Sequence, residues 1–413
     1  MAARLWDGPV LSRWLVRAVE GLAHAGPRID AVNVFPVADQ DTGTNCLLTL
    51  RGALDEVGAL DPQADGPTVL AAAARGALLS ARGNSGMILS HWWAGLARGA
   101  EHGMAAALTG AATSARSAVM QPEAGTVLDL ADEFARAAQQ AWDPATDDPD
   151  RVALDAALAA GRDALDAISA RHPVLRDARV LDAGACALLV VLGAWTLDDA
   201  PSDLSWLPES APTALPAAGL SGFEVMAVLP AGDDDVLRAA LAAVGDSVAV
   251  VTEPAGPGQT GSRIGRVRQT HVHTPDPAAA LRVLRSAAGG TPLAATVHAL
   301  DAAECAAVAV TGSPERAQEL TRAGAVVVVV SDDPSASAWG HALGRAVHDA
   351  RRGGPHAPVA AATVDRDPLP VLPGAWARDC AAVLPPDTVL VAEADDDDRV
   401  LAVLRALTGQ VQG

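Results

Sequence analysis

Asp39 and Asp41 stand two positions apart in the stretch Asp30-Ala31-Val32-Asn33-Val34-Phe35-Pro36-Val37-Ala38-Asp39-Gln40-Asp41-Thr42-Gly43-Thr44-Asn45. On an extended or turning backbone their carboxylates leave on one side, and two such groups repel unless a divalent ion sits between them. Thr42 to Asn45 then lead into an apolar run, Cys46-Leu47-Leu48-Thr49-Leu50, whose spacing suits a helix. A helix start offers unbonded N–H groups and the positive end of the helix dipole, which suits a phosphate. Metal beside phosphate is the chemistry of a Mg-nucleotide; a solvated Asp-rich turn capping a helix is the alternative at this point. Spacing excludes two commoner motifs. A calcium loop starting at Asp39 needs Asp or Asn where Gly43 stands and Glu where Leu50 stands. A P-loop needs a Gly-Lys-Ser/Thr ending, and the chain has no lysine at all. Phosphate charge must therefore be met by metal, arginine or backbone amides.

Three further stretches place similar residues at predicted helix starts: Arg82-Gly83-Asn84-Ser85-Gly86, Glu123-Ala124-Gly125-Thr126 and Leu181-Asp182-Ala183-Gly184. Each alone reads as a capped helix start with Gly supplying a left-handed conformation. Farther on, Thr270-His271-Val272-His273-Thr274 puts both imidazoles on one face of a strand, because strand side chains alternate. Such a pair can ligate zinc or stand without a metal. The isolated cysteines Cys46, Cys186, Cys305 and Cys380 form no CxxC pair, which argues against a disulfide framework and a cysteine zinc knuckle.

The motif Asn33-Val34-Phe35-Pro36-Val37, followed by Asp39-x-Asp41-Thr42-Gly43-Thr44-Asn45, resembles the signature of the dihydroxyacetone-kinase-related family, specifically its fatty acid kinase A subunits. The resemblance implies an all-helical nucleotide domain, an antiparallel eight-helix barrel whose acidic loop holds two Mg ions against the ATP phosphates. It implies Asn33, Asp39 and Asp41 as Mg ligands, and Thr42, Gly43, Thr44, Asn45, Asn84, Ser85, Gly86, Gly125 and Thr126 along the nucleotide. The turns at Gly83–Gly86 and at Asp182-Ala183-Gly184 resemble the family's phosphate-binding and nucleotide-capping loops. The implied reaction is phosphoryl transfer by positioning and charge neutralisation, with Asp39, Asp41 and Arg82 as the catalytic set. Arg82 in a structural ion pair is the other reading of that residue. The acceptor would be the carboxylate of a fatty acid presented by a separate lipid-binding protein, giving acyl phosphate, and the family resemblance extends to a homodimer. The His271/His273 strand resembles the family's middle domain, where two histidines and a cysteine surround a metal; here Glu224 takes the place of the cysteine, a less thiophilic donor set for zinc.

The chain departs from the pattern at Gln40, where the family has Gly, and at Ala38, where it has Pro. If position 40 takes positive φ, Gln costs about 1 kcal/mol there and crowds the metals. The family's Gly-rich and Asn-Pro-Ser motifs are not found after residue 291, and this region is shorter than the family's. Two alternatives therefore accompany the kinase reading: a small-metabolite kinase of the dihydroxyacetone type, and a nucleotide-binding regulatory paralogue without turnover.

The elements that must position these residues follow from periodicity. Helical spacing with Gly, Pro and Asp punctuation gives roughly eight segments, near 8–25, 43–57, 67–80, 85–100, 103–116, 125–141, 150–170 and 183–196. In an up-and-down array the first, third, fifth and seventh connections share one end, and these are the four stretches above. Residues 199–220, rich in Pro and small residues, read as a linker. Strands and helices then alternate through an α/β middle domain, 221–290, and a small α/β C-terminal domain, 291–413, with a parallel sheet. A 413-residue chain accommodates these domains, with 1–198 as the nucleotide domain. A net charge of −20 argues against nucleic acid and anionic membranes as partners. The opening residues lack a signal-peptide core, and the longest apolar run, 187–195, is too short for stable membrane insertion, so a cytoplasmic protein is expected.

Overall fold

Buried positions in the first helix, α1 (Gly8–Ala31), recur at Leu11, Trp14, Leu15, Ala18, Leu22, Ala25 and Ile29, the three-and-four spacing of one helix face. The same logic builds α2 (Thr42–Gly58), α3 (Gly66–Ser80), α4 (Gly83–Gly99), α5 (Met104–Ser117), α6 (Val127–Ala141) and α7 (Pro149–Ser169). A short α8 (Pro173–Ala178), absent from the sequence expectation, precedes α9 (Ala183–Gly193). This computed structural model describes residues 5–35, 40–196, 204–208, 222–253, 266–289, 294–300, 307–311, 313–322, 325–330, 342, 346, 360–363 and 389–391. Consecutive helices pack on one another from α1 to α7, while α9 packs on α1, α2, α6 and α7. Apolar all round, α9 is buried on every side, as such a helix must be. Trp14 stacks on Trp195 at 3.8 Å and on Trp93 at 4.5 Å, and its indole N–H donates to the Val191 carbonyl.

The chain divides into two compact units, one essentially helical and containing residues 1–218, the other built on a sheet. Within the expected linker, Leu204 and Leu207 are buried in the helical unit's core, and Arg28 donates to the Leu204 and Pro208 carbonyls. That part of the 199–220 segment is packed structure, because two leucines spaced for a single turn outweigh the surrounding prolines.

In the second unit, β1 (Phe223–Pro230), β2 (Asp246–Thr252), β3 (Val267–Thr274), β4 (Ala294–Ala299), β5 (Ala307–Thr311), β6 (Val326–Val330), β7 (Ala360–Thr363) and β8 (Val389–Val391) form one sheet, in the order β2-β3-β1-β4-β6-β5-β7-β8. Pairing is antiparallel from β2 through β6 and parallel from β6 through β8. The parallel sheet expected after residue 291 is thus the far half of a mixed sheet, and the boundary placed at 290/291 falls inside it. Helices α10 (Asp234–Ala242), α11 (Pro277–Ala288) and α12 (Pro314–Arg322) pack against the strands. Phe223, Val225, Ala227 and Leu229 of β1 join Val272, Val297 and Val327 from neighbouring strands and Leu241, Leu281 and Leu320 from the helices in one core. The alternate residues of the same strands, Glu224, His271, His273 and His298 among them, point to the opposite face. Of the helix expected near 336–352 only Ala342 and Ala346 are described, both helical and buried; the helix expected near 398–407, the acidic run 395–398, Cys305 and Cys380 lie outside the described residues.

Candidate functional site

The four candidate loops of the helical unit meet at one end. Thr42, the first residue of α2, donates its hydroxyl to Asn33 Oδ1 and lies 3.2 Å, oxygen to oxygen, from Ser85 in the first turn of α4. Gly83 takes φ +52°, and a Cβ there would stand 2.8 Å from Asn45 Nδ2. Phe35, ahead of the acidic motif, packs its ring 3.9 Å from that of His172, and His172 lies 2.9 Å from the Glu123 carboxylate. Asp182 accepts from the N–H groups of Ala185 in α9 and Val127 in α6, so one carboxylate ties the fifth connection to the seventh.

Asp30, in the last turn of α1, is the residue that sequence reasoning passed over. Its carboxylate accepts from Gly43 N–H at 2.6 Å, Thr44 N–H at 3.1 Å and the Thr44 hydroxyl at 2.7 Å. The expectation of unbonded N–H groups at the α2 start is therefore corrected at Gly43 and Thr44, which Asp30 already caps. The approach needs glycine: a Cβ on Gly43 would lie 2.6 Å from the Gly26 carbonyl oxygen. Asp41 occupies the N-cap position of α2, and its carbonyl accepts from Asn45 N–H. Asp39 lies outside the described residues, whereas Gln40 adopts φ +58°, the left-handed conformation on which the sequence argument turned. Arg82 is buried at the N-cap of α4, its N–H donating to the Thr49 hydroxyl.

Electrostatically this end is acidic. Burial raises the Asp30 carboxyl from its ordinary 3.8 to about 6, against the pull of its hydrogen bonds and with a further push from Asp41. Burial likewise raises Asp182 to about 6, offset in part by the N–H groups of Ala185 and Val127. The Cys46 thiol is pushed up by burial and by Asp30, Asp41 and Asp182 together, so the first and seventh connections act on one buried group. Concentrated negative charge beside hydroxyls and helix starts suits a divalent cation, and through it a polyphosphate. Asn33, Asp41, Thr42 and Ser85 have the oxygen donors that such a cation takes.

A second constellation sits on the sheet. Glu224 pairs across the strands with His273 on one side and with His298 on the other. Its carboxylate lies 3.2 Å from His271 Nε2 and 3.8 Å from His273 Nε2 through one oxygen, and 3.8 Å from His298 Nδ1 through the other. One ligand atom each from Glu224, His271 and His273 falls within 4.8 Å of the others, a spacing that suits one divalent ion. The bulge between Asp246 and Ala249 turns the Ser247 carbonyl onto His271 Nδ1 at 2.9 Å, so that Nδ1–H donates there and Nε2 is the nitrogen turned toward Glu224. Burial would raise the Glu224 carboxyl, but the charges of His298 and His271 and the hydrogen bonds from His271 and His273 hold it well below the usual range.

Residues 36–196 match the DAK2 domain family. They form a DAK2 domain. Over 199 residues the chain is 35% identical to Protein YloV of Bacillus subtilis, covering 46% of this chain and 35% of that protein. An uncharacterized protein of Staphylococcus epidermidis is 32% identical over 192 residues and one of Staphylococcus aureus 30% identical over 201, each over 45% of this chain and 34% of the relative. The chain thus matches about a third of the length of these relatives. The DAK2 domain is dihydroxyacetone-kinase-like, and it contains Asp41, Thr42–Asn45, Arg82, Asn84–Gly86, Gly125, Thr126, Asp182 and Gly184; Asn33 and Asp30 precede the matched residues. Gly125, at φ +84°, packs against the backbone of His172, and Thr126 caps α6. Gly184 lies against Val127 and Asp182. Among the described residues no helix is long and apolar enough to cross a membrane.

Proposed function

We propose that the DAK2 domain binds Mg-ATP and passes the γ-phosphate to the carboxylate of a fatty acid held by a separate lipid-binding protein, giving acyl phosphate. The observation that carries this reading is the meeting of the acidic α1–α2 connection with the α4 start, through Thr42 and Ser85, in a kinase-related domain. Asn33, Asp39 and Asp41 would hold two Mg ions, whose positive charge would offset that of the polyphosphate and of the transferred group. The hydroxyls of Thr42 and Ser85 and the α4 and α9 starts orient the nucleotide, with Asn45, Asn84, Gly86, Gly125, Thr126 and Gly184 along its path. Asp30 and Asp182 act at one remove, by fixing the helix starts that carry those groups. An ionised carboxylate acceptor needs no general base, so positioning supplies most of the rate. In the sheet unit Glu224, His271 and His273 would hold zinc. The protein acts in the cytoplasm, as a homodimer.

The left-handed Gln40 favours a second reading, a nucleotide-binding regulatory protein without turnover. Titration calorimetry of ATP with and without Mg, on the wild type and on Asp39→Ala with Asp41→Ala, tests the site. Mg-dependent binding that vanishes in the double variant is the expected result; no binding by the wild type overturns the kinase reading. Acyl phosphate formed only with a fatty-acid-loaded carrier separates it from the regulatory reading, and turnover of dihydroxyacetone without any carrier would identify a metabolite kinase instead.

A further inference from the structure

His298 is a histidine that neither motif nor spacing singled out. It lies on β4, directly across from Glu224 of β1, while His273 lies across from Glu224 on β3. Strand alternation sends all three histidines and the carboxylate to one face of the sheet. The carboxylate is divided between them: one oxygen faces the Nε2 atoms of His271 and His273, at 3.2 and 3.8 Å, and the other faces His298 Nδ1 at 3.8 Å. The compact trio of ligand atoms comprises Glu224, His271 and His273.

We infer that His298 is a positioning residue for a metal centre made by Glu224, His271 and His273: its imidazole, in ion-pair range of the far oxygen of Glu224 at 3.8 Å, steadies that oxygen and so aims the near one at the ion. The inference rests on the zinc reading of this cluster and adds a residue to it. The chemistry requires such a partner more here than with a thiolate. A carboxylate turns freely about its last bond and can bind through either oxygen, so its geometry depends on what the second oxygen touches, and outer partners of ligating groups tune affinity by roughly 10–100-fold. His271 is already oriented in the same manner by the Ser247 carbonyl on its Nδ1. With His298 on the far oxygen, two of the three ligands have a dedicated outer partner. Three protein ligands also leave the fourth tetrahedral position to water or another exchangeable group.

The test is zinc and cobalt(II) affinity of the full chain, measured by chelator competition, together with the visible spectrum of the cobalt form. His298→Ala should weaken both metals by roughly 10–100-fold while leaving the cobalt spectrum unchanged, because no ligand is lost. His298→Asn, whose Nδ2–H falls near the place of the imidazole Nδ1–H, should recover most of the affinity. Metal-free wild type and His298→Asn should melt together, which separates aiming from folding. Unchanged affinity in His298→Ala overturns the inference, and so does an altered cobalt spectrum, which would make His298 a ligand. If the wild type binds no metal, and His271→Ala is equally silent, the zinc reading fails and the inference with it.

Discussion

Gln40 carries a side chain on a backbone conformation that glycine adopts more readily. A φ of +58° places its Cβ against the following carbonyl, a conformation that glycine adopts without that contact. The strain lies between the paired aspartates, where retained strain is a mark of constraint by the surroundings. Gln40→Gly should stabilise the helical unit by about 0.5–1 kcal/mol, part of the relief being returned as extra freedom of the unfolded chain. If the Gln side chain also crowds the ions, Mg-ATP binding tightens in the same variant. Thermal melting reads the first effect and titration calorimetry the second; a variant that melts lower than wild type would show that the Gln side chain has a role of its own.

At the scale of elements, the start of α2 depends on a residue in α1. Asp30 holds the Gly43 and Thr44 N–H groups with a carboxyl raised to about 6. Because its folded value exceeds the ordinary 3.8, the folded chain keeps a proton through that window that the unfolded chain has released. Stability therefore falls as pH rises from about 4 to about 6, by at most about 3 kcal/mol for this group. Asp30→Asn keeps an acceptor for both N–H groups and removes the titration, so its stability should change less than that of the wild type over this window in urea melts at pH 4, 5, 6 and 7. Parallel curves for the two proteins would refute the assignment. The sequence could not reveal this contact: Asp30 lies 13 residues from Gly43 and has no local pattern, since a last-turn aspartate looks like any polar surface position. The helices were legible because apolar residues recur along them at helical spacing, and α8 was not because six residues give too few repeats. β4 escaped notice for a different reason. Its sequence, Ala-Ala-Thr-Val-His-Ala, has little strand propensity, and pairing with β1 on one side and β6 on the other makes it a strand. His298 escaped with it. The His-x-His pair was legible, since alternation alone puts both rings on one face, but the carboxylate was reached only through family resemblance.

For the whole molecule, the division into a helical unit and a sheet unit, each with its own apolar core, makes the two proposed ligands independent reporters. A ligand that binds only the folded form stabilises the unit it binds by RT ln(1 + [L]/Kd), about 2.7 kcal/mol at a hundredfold excess over Kd. The proposed Mg-ATP site draws on residues between Asn33 and Gly184, all in the helical unit, whereas zinc would be held by Glu224, His271 and His273 in the sheet unit. Scanning calorimetry of the full chain should therefore show two transitions, one raised by Mg-ATP and the other by zinc. The side-chain variants assign them: Asp39→Ala with Asp41→Ala should cancel only the first rise, and His271→Ala only the second. A single transition raised by either ligand would mean that the two cores unfold together, and any effect of zinc on Mg-ATP affinity would then be a coupling between sites. Two transitions, each answering to its own ligand, would establish that the acidic end of the DAK2 domain and the imidazole–carboxylate cluster are separate sites, to be altered one at a time.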